Sequence, residues 1–264
     1  MRRVVFNQKG GVGKSTITCN LAAIGAQKGK RTLVVDLDPQ GNSTQYLLGG
    51  NAARPKNTLA DFFEQSLTFR LDPKKTIEFA VATPFERLSV LPSHPSLEEL
   101  QGKLESRYKI YKLREALDEI AADFDQVFID TPPALNFFTR SALIAADACL
   151  IPFDCDEFSR NALYSLLANT EEIRADHNRD LQVEGIVVNQ YQPRANLPQK
   201  VVQALIDEGL PVLQPFLSAS VRIKESHEHA RPMIHLDPRH KLTQEFVALY
   251  EGLGSKKKKT RAAA

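Results

Sequence analysis

The sequence predicts an α/β fold, a doubly wound and mostly parallel sheet with helices on both faces. Two observations carry this. Short, β-branched, nearly continuous apolar runs alternate with longer segments of helical period, as parallel strands buried on both faces alternate with crossover helices. The first run leads straight into a glycine-rich loop that opens a helix, the junction at which α/β sheets bind phosphate.

In chain order, the strands are expected at Arg3–Asn7, Thr32–Asp36, Leu88–Leu91, Gln126–Asp130, Ala148–Pro152 and Val183–Asn189. Helices are expected at Ser15–Gln27, Ser96–Ile120, Asn136–Ala146, Ser159–Arg174 and Leu197–Glu208. Ser96-Leu97-Glu98-Glu99 has the form of a capping box. Asn51–Lys56 reads as a loop, residues 66–86 carry no clear pattern, and Phe246–Leu253 reads as a helix packed on the core. The 264 residues fit one domain, taken as 1–254, followed by a basic tail at 255–264 expected to be disordered.

Composition narrows the function. No run of about 18 apolar residues is long enough to span a membrane, and Val4–Phe6 is too short for the core of a signal peptide. Cys19, Cys149 and Cys155 have no paired spacing, so a disulfide framework is not expected and the cytoplasm is. Cys149 and Cys155 lack the spacing of an iron–sulfur site and read as core thiols. Four of the six histidines (His227, His229, His235, His240) cluster, but without a cysteine or tight spacing they read as surface residues rather than zinc ligands. The lysines at 256–259 and Arg261 supply five positive charges, and removing them takes the net charge from +2 to −3. The body is therefore not a uniformly basic nucleic-acid binder, and any DNA contact must be a local patch or the tail.

The loop Lys9-Gly10-Gly11-Val12-Gly13-Lys14-Ser15-Thr16 has a strand before it and a helix after it. Its glycines let backbone amides wrap a phosphate. Lys14 can reach the β- and γ-phosphates, Ser15 can bind Mg²⁺, and Thr16 is placed for the α-phosphate. Asp36 and Asp38, two apart at the end of a strand, point toward the same crevice. Gln126–Asp130 is an apolar strand ending in a carboxylate that can hold Mg²⁺.

The usual first glycine of the phosphate loop is replaced here by Gln8, and Lys9 precedes the double glycine. Lys-Gly-Gly-Val-Gly-Lys-Ser, with Asp36-Leu37-Asp38-Pro39 and Asp130-Thr131-Pro132-Pro133, resembles the deviant-Walker ATPases of the ParA/MinD family. The resemblance covers nearly the whole chain, and its motifs match the ParA-type partitioning ATPases of the short kind. Only eight residues precede the loop, which leaves no expected room for an N-terminal helix-turn-helix domain.

The resemblance implies ATP and Mg²⁺ as ligands and a homodimer closed face to face over two nucleotides. It makes Lys9 the residue that reaches the partner's nucleotide. Asp38 orients the attacking water, Asp36 supports the Mg²⁺ shell or a switch loop, and Asn189 reads the adenine edge. It implies nonspecific DNA binding through Arg194 and Arg222, with Lys224 and Arg231 nearby. A ParB-like or other adaptor protein would stimulate slow hydrolysis, on the nucleoid, to position chromosome, plasmid or protein cargo. A MinD-like membrane regulator is the alternative, but Lys256–Lys259 lacks the apolar face of an amphipathic anchor. A metal-carrier relative is disfavoured by the missing cysteine pair.

Overall fold

The computed structural model describes residues 1–49, 55–69, 71–155 and 159–254. The elements run β1 (Arg2–Val5), α1 (Lys14–Gln27), β2 (Thr32–Asp36), α2 (Asn42–Leu48), α3 (Leu59–Leu67), a 3₁₀ turn (Thr76–Phe79), β3 (Val81–Ala82) and β4 (Leu88–Leu91). They continue with α4 (Leu97–Ser106), α5 (Lys112–Glu119), β5 (Gln126–Asp130), α6 (Phe137–Ala145), β6 (Ala148–Asp154) and α7 (Ser159–Asp176). The last are β7 (Gln182–Asn189), α8 (Asn196–Asp207), α9 (Arg222–Glu228), α10 (Met233–Leu236) and α11 (Lys241–Gly252). The sheet order is β3-β4-β2-β5-β1-β6-β7. Every pairing is parallel except the short β3–β4 edge. The basic tail and most of the expected 51–56 loop lie outside the described residues.

Alternation along each strand divides the core in two. Val4, Leu33, Val35 and Ile129 join the cluster that includes Phe63, Leu104, Leu113 and Phe138, contributed by α3 to α6. Val5, Val34 and Phe128 join the opposite cluster, with Ile17, Leu21 and Ile24 of α1 and Phe246 and Leu249 of α11. The expected helix at the chain's end therefore packs on α1. All three cysteines are buried.

Two expectations are corrected. The single helix over Ser96–Ile120 is two helices, broken where Tyr108 takes φ +54. Leu104 and Leu113 are both fully buried in one cluster. At about 100° per residue, nine residues of straight helix would put them on opposite sides, so the chain must turn between them. The capping box at Ser96 does not form either. Ser96 is itself in helical conformation without a capping hydrogen bond, and its hydroxyl pairs with His94 Nδ1 at 2.7 Å. The reciprocal cap is instead made by Thr58 and Asp61 at the start of α3.

Candidate functional site

β1, α1 and the loop between them build the floor of a cavity of about 650 Å³, whose lining includes Gly11, Lys14, Thr16, Asp38, Tyr46 and His227. Gly13 turns the chain into α1 with φ +92, and a Cβ there would stand 2.3 Å from Asn189 Nδ2. Both the left-handed backbone and the close approach require glycine. Asn189, at the end of β7, donates from Nδ2 to the Val12 carbonyl at 3.0 Å. The end of β7 thus braces the loop from the side.

Lys14 is buried, and its Nζ donates to the Lys9 carbonyl at 3.0 Å across the loop. Burial lowers its pKa, while Asp130 and Asp38 oppose that shift and favour the ammonium. Lys9 takes a different course. Its amide bonds Asn7 Oδ1 at 2.8 Å, and its side chain lies at the end of β6, with Nζ 3.8 Å from Asp154 Oδ2.

β2 and β5 pair in register so that Asp36 and Asp130 are neighbours, both fully buried. Burial pushes Asp130 up to about 6, against the Ser15 and Ser43 hydroxyls that lower it. Ser43 Oγ donates to Asp130 Oδ2 at 2.7 Å, while Asp130 Oδ1 is buried with no hydrogen-bond partner. An orphaned carboxylate oxygen beside Ser15 fits a hard, oxygen-seeking cation such as Mg²⁺. Asp36 is pushed up to about 8 by burial first and by Asp130 second. Its Oδ2 accepts from both the amide and the hydroxyl of Thr44 at 2.7 Å, and its Oδ1 accepts from the Asp38 amide at 3.3 Å. Of the two roles expected of Asp36, these bonds fit support of the loop.

Asp38 faces the cavity beyond them, its Oδ1 capped by the Gln40 amide at 3.0 Å. Burial raises its pKa, opposed by the Gln40 bond and by Lys14. Sequence reasoning missed the residues that hold it. Ser93 Oγ donates to the Asp38 carbonyl, and the Ser93 amide donates to Thr44 Oγ1 at 2.9 Å. Thr44 and Ser93 belong to no sequence motif; only strand order brings the end of β4 beside the end of β2. Two of the clustered histidines are also not plain surface groups. His227 meets Thr16, and His235 stacks on Phe85.

The four cations expected at DNA lie in the turn before α8, on α9 and just after it. Arg194 is exposed in the turn before α8. It lines one groove with Ser218, Ser220 and Lys241, beside the segment that starts α9. Arg222 begins α9 and is half-exposed, paired with Glu225 and, at 3.4 Å, with Asp237. Lys224 and Arg231 are exposed.

Residues 3–183 match a family described as an AAA domain. The chromosome partitioning protein ParA of Myxococcus xanthus is 33% identical over 249 residues, covering 93% of this chain and 84% of that protein. The sporulation initiation inhibitor protein Soj of Bacillus subtilis is 32% identical over 247 residues, covering 93% of this chain and 94% of its own. The crystal structure of a cobyrinic acid a,c-diamide synthase from Mycobacterium smegmatis, with bound ADP and magnesium, superposes with a TM-score of 0.80 at 25% identity. That match covers 95% of this chain and 92% of the other. Fold alone would not separate a synthase from a partitioning ATPase. The sequence relatives do, and the chain belongs to the ParA-type ATPases of the ParA/MinD family of P-loop ATPases.

Proposed function

We propose that the chain is an ATP-gated dimeric switch that binds DNA nonspecifically and positions DNA or protein cargo. ATP with Mg²⁺ is its substrate. The loop amides, Lys14 and Thr16 receive the phosphates, Ser15 and Asp130 hold Mg²⁺ with Asp36 behind them, Asp38 orients the water, and Asn189 reads the adenine edge. Mg²⁺ held by Ser15 and Asp130 would supply charge neutralisation to the phosphates. Release follows hydrolysis stimulated by a ParB-like or other adaptor, and the working place is the nucleoid.

The observation that carries the reading is the divergence of the two loop lysines. Lys14 turns inward among Asp38 and Asp130. Lys9 leans outward on Asp154, in a pair whose side chains are 42% and 35% exposed. An exposed pair of this kind is worth at most about 1 kcal/mol, so Asp154 alone would not keep Lys9 from a second subunit's phosphate. Two nucleotides facing each other across a low-dielectric gap would otherwise repel strongly. Lys9→Ala is therefore expected to retain much single-subunit ATP binding but to lose the ATP-dependent dimer, as read by light scattering. An Asp38→Ala protein that stays monomeric at saturating ATP would count against the closed dimer altogether.

DNA binding rests on Arg194 and Arg222, doubled by dimerisation into a surface of higher avidity. A phosphate must compete with Glu225 and Asp237 for the Arg222 guanidinium, so its contribution is smaller than that of an unpaired arginine. Arg222→Glu reverses the charge and leaves those two carboxylates unbalanced. It should abolish ATP-dependent DNA binding with the dimer intact, and Arg194→Glu should weaken it. In the intact protein, log affinity should fall with log salt at about −0.9 per phosphate neutralised. Deleting the chain from Lys256 onward should lower affinity while ATP dependence survives. Loss of binding on tail deletion alone, with Arg222→Glu silent, would move the DNA site to the lysine tail.

A further inference from the structure

α9 forms part of the cavity wall, although it lies more than two hundred residues after the phosphate loop. A buried polar network fixes it there. The Ser226 hydroxyl meets Tyr46 OH at 2.6 Å, and Tyr46 OH accepts from Asn20 Nδ2 at 3.3 Å. Asn20, on α1, also donates to the Thr16 carbonyl at 2.9 Å and accepts from the Met233 amide at 2.8 Å. Asn20, Tyr46 and Ser226 are all buried, where leaving one partner unpaired is expensive. α9 and the start of α10 are therefore fastened to the first turns of α1.

His227 extends from this network into the cavity. Its ring stands edge-on to Tyr46 with centroids 4.8 Å apart, and its Nε2 lies 3.0 Å from Thr16 Oγ1. Thr16 lies in the first turn of α1, where unpaired amides and the positive end of the helix dipole favour phosphate. Two polar groups 3.0 Å apart can share one phosphate oxygen between them. Here the two groups bond each other; with the proton on Nε2, the imidazole N–H and the hydroxyl can both turn to that oxygen, as a two-sided clamp with one jaw on α1 and the other on α9.

We propose that His227 is a nucleotide-contacting residue that holds, with Thr16, the phosphate nearest the nucleoside and so ties α9 to occupancy of the cavity. The proposal rests on the reading of this cavity as the nucleotide site. The phosphate in question is common to ADP and ATP, so the contact does not depend on the γ-phosphate or on hydrolysis.

The test is ADP binding by calorimetry to the full chain as wild type, His227→Ala, His227→Gln, Thr16→Ala and the His227→Ala, Thr16→Ala double variant. Lys14→Ala serves as the reference for a broken phosphate loop. His227→Ala should weaken ADP and ATP by the same factor, about tenfold, the equivalent of one hydrogen bond to a charged group. His227→Gln, whose amide nitrogen reaches to a similar depth, should recover most of the loss. In the Thr16→Ala background the further loss should shrink, because two jaws on one oxygen act as a unit. Hydrogen exchange adds a readout independent of turnover. ADP should slow exchange of the α9 amides in wild type and not in His227→Ala.

Wild-type ADP affinity in His227→Ala, or fully additive losses in the double variant, would overturn the proposal. If wild type and Lys14→Ala bind ADP alike, the reading of the cavity fails instead. If they differ while His227→Ala behaves as wild type, only the clamp fails. Should His227→Ala lower the melting temperature without nucleotide, His227→Gln decides, since it keeps the packing and the donor.

Discussion

Lys14→Ala is expected to abolish measurable nucleotide binding. The ammonium is buried on the floor of the cavity, and it donates to a backbone carbonyl of the same loop. Phosphate would replace that neutral acceptor with a charged one. Charge-assisted bonds are roughly twice as strong as neutral ones, so two of them amount to roughly 3 kcal/mol or more, beyond a hundredfold in affinity. The carboxylates sharpen the effect. With Lys14 gone, Asp38 and Asp130 lose the cation that lowers their pKa values, and the cavity becomes hostile to an anion. Calorimetry with ATP and ADP would show this directly, and near-normal affinity for either would contradict the assignment of the loop.

Asp38→Ala is expected to separate binding from turnover. Asp38 lies beyond the buried pair of Asp36 and Asp130, and its backbone is held from both sides. Its amide donates to Asp36 and its carbonyl accepts from Ser93. Removing the carboxylate leaves that frame and the phosphate loop intact. Phosphoryl transfer depends on positioning and charge stabilisation, and loss of the group that orients the nucleophile should lower turnover about a hundredfold to a thousandfold. ATP affinity should stay within a fewfold, and ATP should accumulate in a closed dimer. Because burial raises the Asp38 pKa, wild-type turnover should begin to fall on acidification above the ordinary carboxylate range. That limb of the pH profile should be missing from the residual activity of Asp38→Ala.

The parts of the fold legible in the sequence share one physical trait. β1, β2, β4 and β5 are buried on both faces, so their apolar runs are continuous and their ends carry the polar residues of the site. Gly13, Lys14, Ser15, Asp38 and Asp130 carry a local signal in the sequence because they sit at loop and strand-end positions set by short-range backbone geometry. What the sequence concealed depends on partners remote in the chain. β3 is a two-residue edge strand that exists only because β4 lies beside it. Tyr108 breaks a segment with good helical composition because Leu104 and Leu113 must reach one core. The hydroxyl of Ser93, the amide of Asn20 and the ring of His227 carry no local signal at all. Their roles come from strand order and from the folding of residues 222–236 back onto α1. The Ser96 motif failed for the opposite reason, since Ser96 itself takes helical backbone angles and its hydroxyl pairs locally with His94.

The strand order also bears on how the chain is made. Among the strands of this sheet β1 comes earliest in the chain, yet it lies between β5 and β6. Thr131 Oγ1, which donates to the Val5 carbonyl, comes 126 residues later. β1 and the phosphate loop therefore leave the ribosome long before either neighbouring strand exists, and non-local pairings of this kind form late. At about 5–20 residues per second, the interval is on the order of 10 seconds. Through it, an apolar strand with two open edges is exposed to chaperones or to association with other nascent chains. A nascent chain stalled before β6 should be unable to retain nucleotide although it already carries the whole glycine-rich loop. Competence to bind should appear abruptly, only once residues beyond Asp154 have cleared the exit tunnel.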